Sequence, residues 1–142
     1  RGACDVNLQD PQVVQAVKGA IKAAIDSLML EIRNDVTLTL RRKENPGPPF
    51  LNTSKPNEPP ATRNFSSGLA GSVAVNLATE KGNRISGRVG VNKEYGAPLE
   101  FGAPANGLEP RPFLRPTIED NRERYTTIAA EDVARGLRRV FG

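Results

Sequence analysis

The side chains best suited to chemistry in this chain are carboxylates and guanidiniums, because its 142 residues include no histidine. That removes the commonest general base and the imidazole metal ligand together. Ser-His-Asp and Cys-His arrangements are therefore excluded, and no GxxxxGK[ST] run is present to cradle a phosphate. Carboxylates at Glu94, Glu100, Glu109, Glu119 and Asp120 leave acid catalysis open in principle, since two positioned acids suffice for glycoside hydrolysis. None of them stands in a recognisable catalytic setting. Cys4 is the sole cysteine, so it forms neither an intrachain disulfide nor a cysteine cluster for a metal. The expectation is a protein that is not an enzyme and that holds no cofactor and no metal.

A different pattern occupies the stretch from Tyr95 to Pro116. Tyr95-Gly96-Ala97-Pro98-Leu99-Glu100-Phe101-Gly102-Ala103 is followed by Pro110-Arg111-Pro112-Phe113-Leu114-Arg115-Pro116. Pro110, Pro112 and Pro116 fix their own backbone and bias the residues before them toward extended conformations, which makes this second run a stiff strap. Phe101, Phe113 and Leu114 serve either as local plugs of a core or as anchors for a neighbouring subunit. Arg111 and Arg115 offer planar forks to a carboxylate or a phosphate, and Glu100 of an adjacent subunit is the candidate partner. Tyr95, Gly96 and Gly102 suit a helix or turn with permissive backbone.

These residues need elements to position them. Asp10-Pro11 signals a helix start, since Asp caps free amides and Pro is tolerated at the first helical position. Val14, Val17, Ile21, Ala24 or Ile25, Leu28, Ile32 and Val36 then recur at helical spacing. Val36 to Leu40 alternates like a strand, yet Ile32, Val36 and Leu40 keep the spacing of four, so a helix over 11 to 42 is expected. Residues 43 to 65 are rich in proline and lack periodicity, which predicts a loop or arm that packs on a neighbouring subunit or covers its own fold. Val73, Val75 and Leu77 alternate, as do Ile85, Gly87, Val89 and Val91 after Glu80-Lys81-Gly82-Asn83, predicting a β-hairpin over 72 to 92 with one wet face. Two strands are marginal alone, so further strands are expected from the chain or a neighbour. Ile118, Tyr125, Ile128 or Ala129, Val133, Leu137 and Val140 or Phe141 predict one last helix over 117 to 141. The fold class expected is α+β: one domain over 1–142, an antiparallel β-sheet around a central hairpin, flanked by a long N-terminal helix and a C-terminal helix packed against it.

The tyrosine, the Leu99-Glu100-Phe101-Gly102 run and the Arg111-Pro112-Phe113-Leu114-Arg115-Pro116 run leading into a last helix resemble the signature of phage neck proteins. The family is that of tail-completion, or head-tail joining, proteins of long-tailed bacteriophages, the gene-product-ten type of HK-type and lambdoid phages. Ser66-Ser67-Gly68-Leu69-Ala70-Gly71-Ser72-Val73 is similar to that family's approach to its first strand, with the glycine displaced by one. Ala103 stands where the family commonly has Thr. The resemblance implies a structural virion protein of the head-to-tail connection, assembled in the bacterial host cytoplasm. It implies a connector ring, a homo-oligomer of six copies or alternatively twelve, that meets other neck and tail proteins. Tyr95, Glu100, Phe101, Gly102, Arg111, Pro112, Phe113, Leu114, Arg115 and Pro116 are then its assembly residues. DNA enters only as non-specific cargo through the channel.

Composition keeps one alternative open. Twenty Lys and Arg against sixteen Asp and Glu give a net charge of +4. A small basic nucleic-acid-binding protein would use Arg41-Arg42-Lys43 and Arg135-Gly136-Leu137-Arg138-Arg139. No apolar run approaches the roughly 20 residues that span a bilayer, so no membrane partner is expected.

Overall fold

A computed structural model describes residues 7–42, 55–60 and 68–142. Helix α1 spans Pro11–Leu40, with the Asp10 carboxylate accepting the Gln12 N–H at 2.9 Å and Pro11 at the first helical position. At about 1.5 Å per residue it is a rod of roughly 45 Å. The strand-like alternation at its end resolves as helix because Ile32, Val36 and Leu40 all face the core. Strands β1, Val73–Lys81, and β2, Arg84–Val91, pair antiparallel. Gly82, at φ +59°, takes the first position of their two-residue turn, where a type II′ turn requires positive φ.

Among the described residues the sheet has these two strands only. The missing stabilisation comes from α1, which lies along one face of the hairpin and packs on Val73, Val75, Val89 and Val91. Helix and ribbon approach so closely at Gly87 that a Cβ there would stand 2.6 Å from Met29 Cγ. A β-bulge sets Leu77 and Ala78 of β1 opposite Gly87. The α1-facing positions of β1 therefore change from odd to even, and Glu80 rather than Lys81 turns toward the helix. There its carboxylate meets Lys18 Nζ at 2.5 Å and Lys22 Nζ at 3.1 Å. Asp26 of α1 accepts the N–H of Ala78 at the bulge, at 2.6 Å.

The chain then forms a short helix α2, Gly96–Phe101, and a second short helix α3, Leu114–Asp120, followed by α4, Arg122–Phe141. The single last helix expected over 117 to 141 is thus two helices. It begins three residues early because Glu100 supplies acceptors for the first free amides, and it breaks at Asn121, whose side-chain amide donates to the Thr117 carbonyl at 2.8 Å. Pro116 falls inside the first turn of α3, where its missing N–H is not needed. Helix α4 runs antiparallel to α1 and packs chiefly on it rather than on the sheet. The pairing is close at one end, where a Cβ on Gly136 would lie 3.0 Å from Ala20 Cβ. At the other, Arg124 bridges Glu31 at 2.7 Å and also pairs with Asp35. The core gathers at the carboxyl half of α1, from Met29, Ile32, Val36, Leu40, Leu69, Phe113 and Tyr125.

Candidate assembly interface

The strap is built from an acid outward. Glu100, on the last turn of α2, is only 6% exposed. Its Oε2 accepts the N–H groups of Phe113 at 2.7 Å and Leu114 at 3.0 Å, and its Oε1 accepts that of Arg115 at 2.9 Å. One carboxylate therefore satisfies three amides at the start of α3 that have no intrahelical partner. Hydrogen bonds to an ionised acceptor are the strong ones, shorter than neutral bonds and roughly twice as strong. The candidate pairing of Glu100 with Arg111 or Arg115 across subunits is replaced by this contact within the chain. Arg115 instead meets Glu119 at 3.3 Å on its own helix, and the Arg111 guanidinium donates to the Glu109 carbonyl at 3.3 Å.

Phe113 has no exposed surface, packs with Leu40 and Val36, and is a core plug. Leu114 packs partly against the same cluster. Pro112 and Pro116 are half-buried. The Arg111 N–H donates to the Leu99 carbonyl at 2.6 Å, which binds the strap to α2 along its length. Between them, Ala103 and Leu108 exchange two backbone bonds of 2.9 and 3.1 Å. Gly102 is required twice over at the bend. Its φ is +78°, and a Cβ would lie 3.0 Å from Pro110 Cδ and 3.1 Å from the Leu108 carbonyl oxygen. Gly96 likewise leaves room for the Val91 side chain, into which a Cβ would run.

Two aromatics stand out of this platform. Phe101 is 77% exposed and Tyr95 is 48% exposed, one at each end of α2. The structure thus separates the sequence candidates into an inner set that fastens the strap, led by Glu100, Gly102 and Phe113, and an outer pair offered to solvent. Arg115 is also exposed, while Arg111 is half-buried.

The proline-rich arm is described only at residues 55–60, and the remainder of 43–65 lies outside the described residues. The described part packs on its own chain. The Asn57 N–H donates to the Pro110 carbonyl at 2.8 Å and Pro60 is fully buried.

Sequence reasoning missed the cluster that locks α4 to α1. The Tyr125 hydroxyl donates to Asp35 at 2.6 Å, and burial together with that hydrogen bond pushes the phenol well above its ordinary pKa. Hydrogen bonds to Glu31 and Asp35 raise the Arg124 guanidinium in the same way. Nothing in the local spacing of Asp35 marks it, because its partners are about ninety residues away. Among the described residues no three acidic or cysteine side chains converge as metal ligands would. No helix there is long and apolar enough to cross a membrane. The two basic runs considered for nucleic acid do not form one patch. Arg41 and Arg42 end α1, whereas Arg135 to Arg139 lie beside Ala20, about 30 Å away along the helix axis.

Compared with family models, curated proteins and solved structures, the chain has no significant match.

Proposed function

We propose that this chain is a structural subunit of the head-to-tail connection of a long-tailed bacteriophage, a neck or tail-completion protein that works by assembling into a ring. It carries out no reaction and needs no cofactor. Six copies are the expected number, with twelve as the alternative, and the ring meets other neck and tail proteins in the virion after assembly in the host cytoplasm. DNA passes through it as non-specific cargo.

The observation that supports this reading best is the exposure of Phe101 on a platform that cannot readily rearrange. A large aromatic left in water on a flexible loop would carry little meaning. Here the residue beside it, Glu100, is fixed by three hydrogen bonds and the next, Gly102, by its cradle. Aromatic anchors held rigid lose little conformational freedom on docking and dominate interface energetics. A contact of one such surface with a different surface on the next copy, repeated about an axis, closes a ring.

The reading is tested by sedimentation and electron microscopy of the purified protein, and by adding it to separated heads and tails that lack it. Closed rings and restored joining are expected. A protein that stays monomeric alone and in the presence of heads, with heads and tails joining at the normal rate without it, contradicts the proposal.

A further inference from the structure

The strand register sorts the charges of the hairpin onto two faces. Toward α1 lies Glu80, held between Lys18 and Lys22, and these three charges are largely satisfied within the chain. Both lysines hold the Glu80 carboxyl below its ordinary pKa. Away from α1 lie Asn76, Thr79, Lys81, Arg84, Ser86 and Arg88, as the pairs Asn76 with Arg88, Thr79 with Ser86 and Lys81 with Arg84 place them on the same side. This face carries three cations and no carboxylate. None of the three is in an ion pair among the described residues, and all are exposed. The bulge creates this arrangement. Without it Glu80 would turn outward and neutralise the face, while Lys81 would turn inward against two other lysines.

We propose that this open face of the hairpin binds the phosphate backbone of duplex DNA. From Arg84 to Arg88 the strand spans about 13 Å at ~3.3 Å per residue. A duplex presents one phosphate per ~1.7 Å of its axis, so roughly eight lie within that length. Asn76 and Ser86 add hydrogen-bond donors of the kind that meet phosphate oxygens. A two-stranded ribbon is also narrow enough to enter a major groove. Single strands are a poorer match, since residues 73 to 91 contain no aromatic on which bases would stack. A lipid surface is a poorer match too, because Ala74 and Gly90 provide no apolar wedge and Leu77 at the bulge is the one large apolar side chain outside the α1 contact. The inference deepens the proposed function by naming the surface that would face passing DNA, and in that form rests on it. The binding itself can be tested on the free chain.

The experiment measures fluorescence anisotropy of two labelled 20-base-pair duplexes of unrelated sequence with the full chain, between 50 and 200 mM salt. Three phosphate contacts predict a slope of about −2.7 in log affinity against log salt, or about 40-fold weaker binding across that range. The two duplexes should bind alike. The variant Lys81→Gln/Arg84→Gln/Arg88→Gln should lose at least 10-fold in affinity at 50 mM and show a slope shallower by about 2.7. Arg84→Lys/Arg88→Lys should keep the slope, and Arg138→Gln/Arg139→Gln should bind like the parent. The proposal is overturned if the parent does not bind at 50 mM, if the triple variant binds like the parent, or if the loss follows the Arg138 and Arg139 change instead. Equal or tighter binding to phosphatidylserine vesicles, lost in the same triple variant, would also overturn it by assigning the face to a membrane. Sedimentation of the same samples, alone and with added heads, keeps the two readings apart: rings without DNA binding sink only this inference, and DNA binding by a chain that forms no ring in either sample sinks only the neck assignment.

Discussion

The two ends of α1 are finished to different degrees. At its carboxyl end Val36 and Leu40 are fully enclosed with Phe113 and Leu69, and the strap, the first turn of α3 and the Tyr125–Asp35 bond close over them. At its amino end Val13, Val14, Val17 and Ile21 line an open groove of about 350 Å³ with Ile85 and the exposed Leu8, closed at one side by the Lys18–Glu80–Lys22 contact. The same apolar stripe of one helix is thus a core in one half and a partly wet surface in the other. Helical periodicity marks where a face can be buried, and long-range contacts decide whether it is. The finished end is also where the strap presents Phe101, so the rigid half is the half that carries the proposed interface.

Substitutions should separate the halves by size of effect. Phe113→Ala should have the largest, about 3 to 5 kcal/mol of unfolding free energy by chemical denaturation, because an enclosed aromatic leaves a cavity that cannot collapse. That is a large fraction of the roughly 5 to 15 kcal/mol of a typical domain, and assembly should fail with it. Glu100→Gln should come next, at about 2 kcal/mol, since the amide keeps only one acceptor oxygen for three donors, one buried and two partly buried, and loses the charge. An unchanged melting temperature in this variant would show that the α3 start does not depend on the carboxylate. In the open half, Val17→Ala should stay within about 1 kcal/mol of the parent. A loss as large as that of Phe113→Ala would mean that the groove is closed in solution and would erase the contrast. The smallest effect belongs to Glu80. Lys18 and Lys22 hold its folded pKa below the ordinary carboxylate value. Its contribution is therefore present above that ordinary value and is lost as pH falls through the lowered one. Comparing parent and Glu80→Gln by melting across pH 2 to 6 should show the two curves converging at the acid end and further apart above it, with the gap narrowing at high salt.

Much of the frame was legible. The Asp10-Pro11 start, the spacing of α1 and the break at Glu80-Lys81-Gly82-Asn83 each carry a local physical signal, and the elements formed where those signals stand, although Glu80 and Lys81 belong to β1 and the turn itself is Gly82-Asn83 alone. The failures share a cause. The break at Asn121 is hidden because Ile118 and Tyr125, seven residues apart, keep helical phase across it. The bulge is hidden because Val73, Val75 and Leu77 continue to alternate, although Leu77 ends exposed and Ala78 and Glu80 turn inward. Glu100 was recognised as a partner for the strap, but its choice of backbone amides over the neighbouring arginines depends on how α2 and the strap meet, thirteen residues on. The prolines of the strap read correctly as stiffeners, while Phe113 could be placed in the core only once Leu40 and Val36 were seen around it.

The central claim is that the strap fastens inward through Glu100 and Phe113 and docks outward through Phe101. The most direct measurement is sedimentation of Phe101→Ser beside the parent, with thermal melting of both. The account predicts that the variant melts within the range of an ordinary surface change, about 0.5 kcal/mol, while the closed ring of the parent is lost and the subunits run as monomers. A variant that forms the same ring as the parent at the same concentration would show that Phe101 is not the anchor and would contradict the account.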